Sequence, residues 1–253
     1  MTTRRPRAAG LLILIVAATV LLSGCGDDDT IRVFAASSLQ DVLPEILDAY
    51  VEVHPGTEVQ TQFGGSQALA TQLELGAGAA LFLSANSQQL DRLEDDGLIA
   101  SRRAIVTNRL VIAVSSHAPI ERIEDLAAPD VRIAIGAPEV PVGELTERAL
   151  ASLDATLAEA IRANVVTEDP NVRVVLSRVE LGEVDAAFVY LTDALAVEGL
   201  RPIELPIDLE PNVYVGAVLE GAPAGAISLF DFIASAPTEA IWRDAGFEVV
   251  GAP

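Results

Sequence analysis

Runs of β-branched and aromatic residues alternate along this chain with segments whose apolar residues recur at helical spacing. The β-type runs are short and are bounded by Gly, Pro, Asn or Ser, as is typical of strands. Strands are predicted over residues 31–35, 58–63, 81–84, 104–115, 131–135, 164–167, 186–190 and 213–219. Helices are predicted over residues 39–53, 67–75, 88–95, 143–153, 172–181 and 223–236. This alternation predicts an α/β fold with mostly parallel strands.

The run at residues 104–115 is longer than its neighbours and almost wholly apolar in its second half, as expected of a strand that passes between two lobes. A return crossing is predicted at residues 213–219. The chain is therefore predicted to form a discontinuous first lobe, residues 30–112 and 218–253, and an inserted second lobe, residues 113–217. A cleft between α/β lobes, at the carboxyl ends of strands, is where ligands bind.

Residues 1–24 are predicted to be a lipoprotein signal peptide. Three arginines precede an apolar run at residues 11–22, which is too short to span a bilayer comfortably. The run ends in Leu-Ser-Gly-Cys, the small-residue pattern of a lipobox, so Cys25 is predicted to be acylated and to become the mature N-terminus. The alternative is an ordinary cleavage site beside an unmodified cysteine. Residues 25–29 then form a lipidated tether.

Charge narrows the range of partners. The formal net charge is −21, and loss of three arginines with the signal peptide takes it to about −24, which argues against nucleic acid and anionic lipid as partners. The predicted membrane link is therefore the lipid. All 16 basic residues are arginine, which excludes Schiff-base and P-loop lysine chemistry. The only cysteine is Cys25, so no disulfide framework is available.

Four predicted helices begin with Ser, Gly, Pro or Asn directly after a predicted strand. Ordinary capping explains each of these residues taken singly. Taken together, the exposed N–H groups and the positive ends of the helix dipoles could converge on an anion. The four starts lie at Ser37/Ser38, Gly65/Ser66, residues 141–143 and residues 170–172. Hydroxyl and N–H donors could thus bind an anion without help from a cation.

Five segments, in order along the chain, resemble the signature segments of molybdate-binding proteins of ABC transporters. They are "VFAASSLQDVLPEIL", "FGGSQALATQLELGAGAALFLSAN", "GAPEVPVGELTERAL", "EDPNVRVVLSRVELGEVDAAFVYLTDA" and "IWRDAGFEV". The resemblance implies a type II solute-binding protein fold with two lobes joined by two crossing strands. It also implies a tetrahedral oxyanion ligand, molybdate or tungstate, and no cofactor. The implied ligand contacts are the hydroxyls of Ser38 and Ser66, the backbone N–H groups of Val142 and Val172, and the phenol of Tyr190.

The same resemblance implies a monomer, not an enzyme, held by its lipid at the extracytoplasmic face of the cell membrane. Its implied partners are a membrane permease and a cytoplasmic ATPase. The chain departs from the family pattern at Ala80 and Asn86, where the family usually has Asp, and at residues 76–78, where GAG replaces GAP. The family's VPAG is VPVG here, which matters little if only the N–H of Val142 is used.

Two alternatives stay open at this point. A protein of the same fold could bind sulfate or a small organic acid. Alternatively, Gly64-Gly65-Ser66-Gln67-Ala68 is one residue short of a G-x-S-x-G elbow, so a serine hydrolase must be weighed. That enzyme needs a histidine, and the two histidines, His54 and His117, are both predicted to lie at the surface. A fully ionised dianion such as molybdate only accepts hydrogen bonds, so a site made of donors alone suits it.

Overall fold

A computed structural model describes residues 30–250. The predicted signal peptide, the lipidation site Cys25 and the tether 25–29 lie outside the described residues. The strands are β1 (Thr30–Ala36), β2 (Glu58–Gly64), β3 (Leu81–Ser84), β4 (Ile99–Asn108), β5 (Leu110–Ser115), β6 (Ile133–Gly136), β7 (Val165–Asp169), β8 (Ala186–Tyr190), β9 (Leu200–Glu204), β10 (Asn212–Leu219) and β11 (Glu248–Val249). They form two sheets.

The helices lie between these strands. They are α1 (Leu43–Val53), α2 (Ser66–Glu74), α3 (Gln88–Asp95), α4 (Pro141–Ala151), α5 (Ala155–Ala163), α6 (Val172–Glu180), α7 (Leu191–Leu195), α8 (Ala224–Ile233) and α9 (Glu239–Asp244). Three short 3-10 turns cover Ser37–Leu39, Ile123–Ala127 and Ala236–Thr238. Among residues 30–250, none of the helices is long and apolar enough to cross a membrane.

The first sheet has the strand order β11-β4-β10-β3-β1-β2, and the second has the order β7-β6-β8-β5-β9. In the first sheet β1 runs parallel to β2 and β3, whereas β10 runs antiparallel to β3 and β4. In the second sheet β6 runs parallel to β7 and β8, whereas β5 runs antiparallel to β8 and β9. Both sheets are therefore mixed, and the prediction of mostly parallel strands is wrong.

The predicted strand at residues 104–115 is two strands in different sheets. Asn108 is the last residue of β4 and pairs with Asn212, and Leu110 begins β5 and pairs with Tyr190. The buried Asn108 side chain accepts the Arg109 N–H at 2.9 Å and donates to Thr192 at 2.8 Å. The amide thus satisfies polar groups where the ladder is interrupted. The first crossing between the sheets therefore lies at Arg109 rather than at the predicted 112/113 boundary.

The return crossing also lies earlier than predicted. All of β10, from Asn212 to Leu219, pairs with β3 and β4 in the first sheet. The second sheet ends with β9 at Glu204, so the chain returns within residues 205–211. The predicted boundary at 217/218 falls inside β10, because an apolar run does not reveal to which sheet a strand belongs.

The predicted helix at residues 39–53 is divided. A 3-10 turn covers Ser37–Leu39, and α1 begins only at Leu43, with Pro44 in its first turn. Proline has no N–H to donate to a preceding turn, so it is tolerated at a helix start and not in its interior. This division leaves Ser37 and Ser38 on a tight turn at the end of β1.

Candidate anion-binding site

Four helical segments begin at the carboxyl ends of parallel strands and surround one cavity. The turn at Ser37–Leu39 follows β1, α2 follows β2, α4 follows β6 and α6 follows β7. Two of these segments belong to each sheet, so the cavity lies between the two halves of the molecule. Its lining residues are Ala36, Ser37, Ser38, Gly64, Gly65, Ser66, Ala85, Val140, Pro141, Val142, Asn171, Val172 and Tyr190. All five residues predicted to contact a ligand are among them.

Ser38 is held as a hydrogen-bond donor. Its side chain is buried, and its Oγ accepts the phenolic hydrogen of Tyr214 at 2.7 Å. A hydroxyl has one hydrogen to donate, and because Tyr214 fills an acceptor site of Oγ, that hydrogen stays available to the cavity. No sequence pattern singles out Tyr214, which lies in β10, 176 positions from Ser38.

Ser66 is arranged in the same way. It is the first residue of α2, and its Oγ accepts the backbone N–H of Ala85 at 3.1 Å. The serine hydrogen is again free to donate. No side chain caps α2, so the N–H groups of its first two residues, Ser66 and Gln67, have neither a capping side chain nor an acceptor within the helix.

Val142 presents a backbone N–H at the start of α4. The helix begins at Pro141, which has no N–H, and no side chain caps it. The next residue, Gly143, lies so close to the preceding loop that a Cβ there would be 2.0 Å from the carbonyl oxygen of Ala137. Glycine is therefore required for α4 to begin at this point, and the Val142 N–H is left without an intrahelical acceptor.

Val172 presents a second backbone N–H, at the first position of α6. The side chain of Asn171 caps this helix by accepting the N–H groups of Arg173 and Val174 at 3.0 and 3.1 Å. This cap leaves out the N–H of Val172 itself. The capping residue and the candidate ligand donor thus have different roles although they are neighbours.

Tyr190 ends β8 and has 1% of its surface exposed. Its hydroxyl is buried and has no hydrogen-bond partner among the described residues. Burial, and then the proximity of Tyr214, Asp193 and Glu144, raises the pKa of this phenol well above its ordinary value of 10.0. The phenol therefore stays protonated at neutral pH. An unpartnered buried hydroxyl is costly, and an acceptor in the cavity would remove that cost.

Arg173 lies beside the cavity but its charge is compensated. Its guanidinium contacts Asp41 at 2.7 Å and Asp193 at 3.2 Å. The Arg173 side chain is 19% exposed and that of Asp193 is fully buried. Burial raises the pKa of Asp193 to about 7, against the lowering influence of Arg173. The cavity therefore relies on neutral donors, and not on a free positive charge.

The chain matches the model of the bacterial extracellular solute-binding protein family over residues 31–248. It belongs to this family. The molybdate-binding protein ModA of Mycobacterium tuberculosis H37Rv is 36% identical over 225 residues, which cover 86% of this chain and 84% of that protein. A Bacillus subtilis protein, YvgL, named as a candidate ABC transporter substrate-binding lipoprotein, is 36% identical over 77% of this chain and 78% of its own length.

The fold of this solute-binding protein is similar to that of a solved structure. The substrate-binding domain of a candidate molybdenum ABC transporter from Clostridium difficile superposes with a TM-score of 0.68 and 25% identity, covering 88% of this chain and 99% of that domain. The predicted resemblance to molybdate-binding proteins of ABC transporters is thereby confirmed. The predicted two-lobed type II fold is confirmed as well. The Mycobacterium tuberculosis relative is named for molybdate as its ligand, and the Clostridium difficile structure is named for molybdenum; neither name indicates a cofactor.

Two of the family departures in this solute-binding protein, Ala80 and Asn86, lie outside the cavity lining, whereas Val142, the departing residue of VPVG, lines the cavity. Ala80 is buried just before β3, and its N–H bonds to the carbonyl of Arg32 at 2.8 Å. The Asn86 side chain donates to Glu144 at 3.1 Å. Glu144 is on α4, so this bond joins the two halves of the molecule. An aspartate at position 86 would oppose Glu144 with a second negative charge.

The two histidines of this solute-binding protein lie away from Ser66. His54 stacks on Tyr50 with ring centroids 4.1 Å apart, and His117 contacts Ser116 at 3.2 Å. Neither lines the cavity. Among residues 30–250, no group of His, Cys, Asp or Glu side chains has an arrangement that could hold a metal ion. Ser66 thus lacks the neighbouring base that a serine nucleophile needs.

Proposed function

We propose that this solute-binding protein captures molybdate or tungstate and delivers it to the permease of an ABC importer, which a cytoplasmic ATPase drives. The observation that carries the proposal is the buried set of donors at Ser38, Ser66, Val142, Val172 and Tyr190, all of which line one cavity. Members of the family bind solutes outside the cytoplasm. The molybdate-binding relatives suggest the class of solute.

The chemistry of the lining supports a fully ionised oxyanion. The described residues that line the cavity include neither Asp nor Glu, so a proton on the ligand would find no carboxylate to accept it. Molybdate at neutral pH is a dianion that carries no proton, whereas phosphate carries one. Hydrogen bonds to a charged group contribute about 1.5–3 kcal/mol each. Several of them, less the ordering costs, support submicromolar affinity without a formal positive charge.

Cavity size favours an inorganic ion over an organic acid. The cavity volume is about 10 Å3, far below the roughly 300–1,000 Å3 of pockets for drug-sized ligands. Sulfate is a tetrahedral dianion too, but it is smaller than molybdate and tungstate. Its oxygens would not reach donors on both sides of the cavity at once. Sulfate is therefore expected to bind more weakly than the two larger ions.

A calorimetric titration of the purified protein with molybdate, tungstate, sulfate, phosphate and a set of small organic acids tests this function. Molybdate and tungstate should bind with similar affinity, sulfate more weakly, and phosphate most weakly of the four oxyanions. Saturation at a hundred times the Kd should add about 2.7 kcal/mol to the free energy of unfolding. A clear response to sulfate or to an organic acid, with none to molybdate or tungstate, would assign the protein to a different solute.

The proposed location is the extracytoplasmic face of the cell membrane, with the protein anchored as a monomer by a lipid on Cys25. The lipobox pattern around Cys25 supports it, and so does the likeness to a relative named as a candidate lipoprotein. In a host that processes lipoproteins, Cys25→Ser should move the protein from the membrane fraction to the soluble fraction. A variant that still needs detergent for release would contradict the anchor.

A further inference from the structure

Arg173 contacts three side chains beside the cavity, those of Gln40, Asp41 and Asp193. Its Nη1 lies 2.7 Å from Asp41 Oδ2 and 3.2 Å from Asp193 Oδ1. With the amide oxygen of Gln40 facing the guanidinium, Gln40 accepts from Nη2 and Nε at 2.9 Å each. The guanidinium is thus bonded along several of its edges, which fixes its orientation.

These contacts join the two halves of the molecule beside the site. Gln40 and Asp41 follow the turn that carries Ser38, in the half built on the first sheet. Arg173 directly follows Val172, in the half built on the second sheet. Closing this ion pair therefore brings two of the candidate ligand donors, one from each half, to the same cavity.

Asp193 forms an ion pair with Arg173 within the half built on the second sheet. Its carboxylate is fully buried, and Arg173 is 19% exposed. Because the buried Asp193 holds one side of the guanidinium, the rest of the group is oriented towards Asp41 and Gln40 before the halves meet. A preoriented arginine loses less side-chain entropy when it forms a new pair.

We propose that Arg173, Asp41 and Gln40 form a clamp across the cleft that keeps the two halves closed on the bound oxyanion and so lengthens its residence time. The clamp residues are positioning residues, because none of them donates to the cavity. This inference rests on the proposed function for the identity of the anion. The clamp acts after the anion has entered, and its effect should appear in the dissociation rate rather than in the association rate.

Whether loss of the Asp41 charge weakens or strengthens anion binding distinguishes the clamp from simple electrostatic repulsion. Asp41 carries a negative charge close to a site for a dianion, so by Coulomb's law alone its removal should strengthen anion binding. The clamp requires the opposite. Its removal should weaken binding, and the difference should shrink at high ionic strength, because Asp41 is half exposed and the pair is screened by salt.

The experiment compares molybdate binding by the wild type, Asp41→Asn and Asp231→Asn. Asp231 is a matched control, because it pairs with Arg103 at 3.0 Å within the half built on the first sheet. We expect Asp41→Asn to weaken binding by roughly two- to fivefold, as for other partly exposed ion pairs, with faster dissociation in stopped-flow measurements. Gln40→Ala should act in the same direction without changing the charge. The melting temperature of ligand-free Asp41→Asn should stay close to that of the wild type.

Each result is decisive. Equal or tighter binding by Asp41→Asn, or an equal loss in Asp231→Asn, overturns the clamp while leaving the proposed function intact. If the wild type does not bind molybdate but binds another oxyanion of the panel, the proposed function is wrong. The same comparison of Asp41→Asn with Asp231→Asn, made with that ion, then supports or overturns the clamp. A wild type that binds no oxyanion overturns both.

Discussion

Tyr214 donates its phenolic hydrogen to Ser38 Oγ at 2.7 Å, and both side chains are buried. The tyrosine ring also meets the ring of Tyr190 edge to face, with centroids 5.8 Å apart. Tyr214 therefore supports two candidate ligand donors without lining the cavity itself. Its hydroxyl leaves the Ser38 hydrogen available to the cavity, and its ring packs against that of Tyr190, which comes from the second half of the molecule.

Replacing Tyr214 by Phe should weaken molybdate binding although the phenol does not reach the cavity. Ser38 would lose the hydrogen bond that orients it, at a cost of about 0.5–1.5 kcal/mol, or roughly two- to tenfold in Kd. Tyr50→Phe is a matched control, because that tyrosine hydroxyl donates to the carbonyl of Gly225 at 3.3 Å and not to a candidate ligand donor. Isothermal titration of both variants checks the expectation, and equal losses in the two would contradict it.

Replacing Tyr190 by Phe should change stability and binding in opposite directions. The hydroxyl of Tyr190 is buried without a partner among the described residues, so its removal should raise the melting temperature of the ligand-free protein. The same change removes a donor to a buried dianion and should weaken binding by about 1.5–3 kcal/mol, or roughly ten- to a hundredfold. A variant with lower stability and unchanged affinity would show that Tyr190 is a core residue only.

Ser66→Ala should weaken anion binding by a similar roughly ten- to hundredfold factor, because a charged acceptor loses a neutral donor. It should also lower stability, because the Ala85 N–H then loses its acceptor. Val142→Ala is the comparison, since alanine keeps the backbone N–H that faces the cavity. If Val142→Ala weakened binding more than Ser66→Ala, the assignment of donors would be wrong.

Gly143→Ala should disturb the start of α4. The added Cβ would lie 2.0 Å from the carbonyl oxygen of Ala137, and overpacking of this kind costs about 1–3 kcal/mol. The shift would also displace the Val142 N–H, so affinity should fall together with the melting temperature. Gly225→Ala is the control: its Cβ would meet only Ile31, at 3.4 Å, and should leave stability unchanged or raise it by up to about 1 kcal/mol.

The pH dependence of stability should report Asp193. Burial raises the pKa of its carboxyl from 3.8 to about 7, so between about pH 4 and 7 the folded protein holds a proton that the unfolded chain has lost. The free energy of unfolding must therefore fall as pH rises through this window. In Asp193→Asn this contribution is absent, although the bond to Arg173 changes as well.

Melting temperatures of the ligand-free protein at pH 5, 6, 7 and 8 test that expectation. The difference between Asp193→Asn and the wild type should move in favour of the variant as pH rises. The loss of the ion pair with Arg173 lowers the melting temperature of the variant at every pH but does not remove this dependence on pH. Asp231→Asn, a substitution at a surface carboxylate that is 65% exposed, should run parallel to the wild type. Parallel curves for Asp193→Asn would refute the raised pKa.

The sequence predicts the helix starts around the candidate site better than it predicts the connections between the two sheets. Cap residues at strand ends identify the starts of four helical segments, because capping depends on residues a few positions apart. All of these starts line the cavity. The sheet crossing at Arg109 is not predicted although Thr107, Asn108 and Arg109 interrupt the apolar residues there. Only long-range pairing shows that β4 and β5 belong to different sheets.

Some helices and strands that are absent from the prediction have a recognisable sequence signal, and others do not. Helix α5 is absent from the predicted helices although Asp154 caps it by accepting the N–H groups of Thr156 and Leu157. An Asp before an apolar periodic segment is a start signal. Strand β9 was hidden by Pro202, which is tolerated because β9 is an edge strand. The role of Tyr214 depends on a contact that no local pattern encodes.

The candidate donors are divided between the two halves of the chain: Ser38 and Ser66 come from the first, and Val142, Val172 and Tyr190 from the second. The backbone connects the halves only at Arg109 and at residues 205–211. An anion bonded to all five donors therefore acts as a further link between two bodies. Its arrival should therefore slow amide hydrogen exchange in both bodies at once.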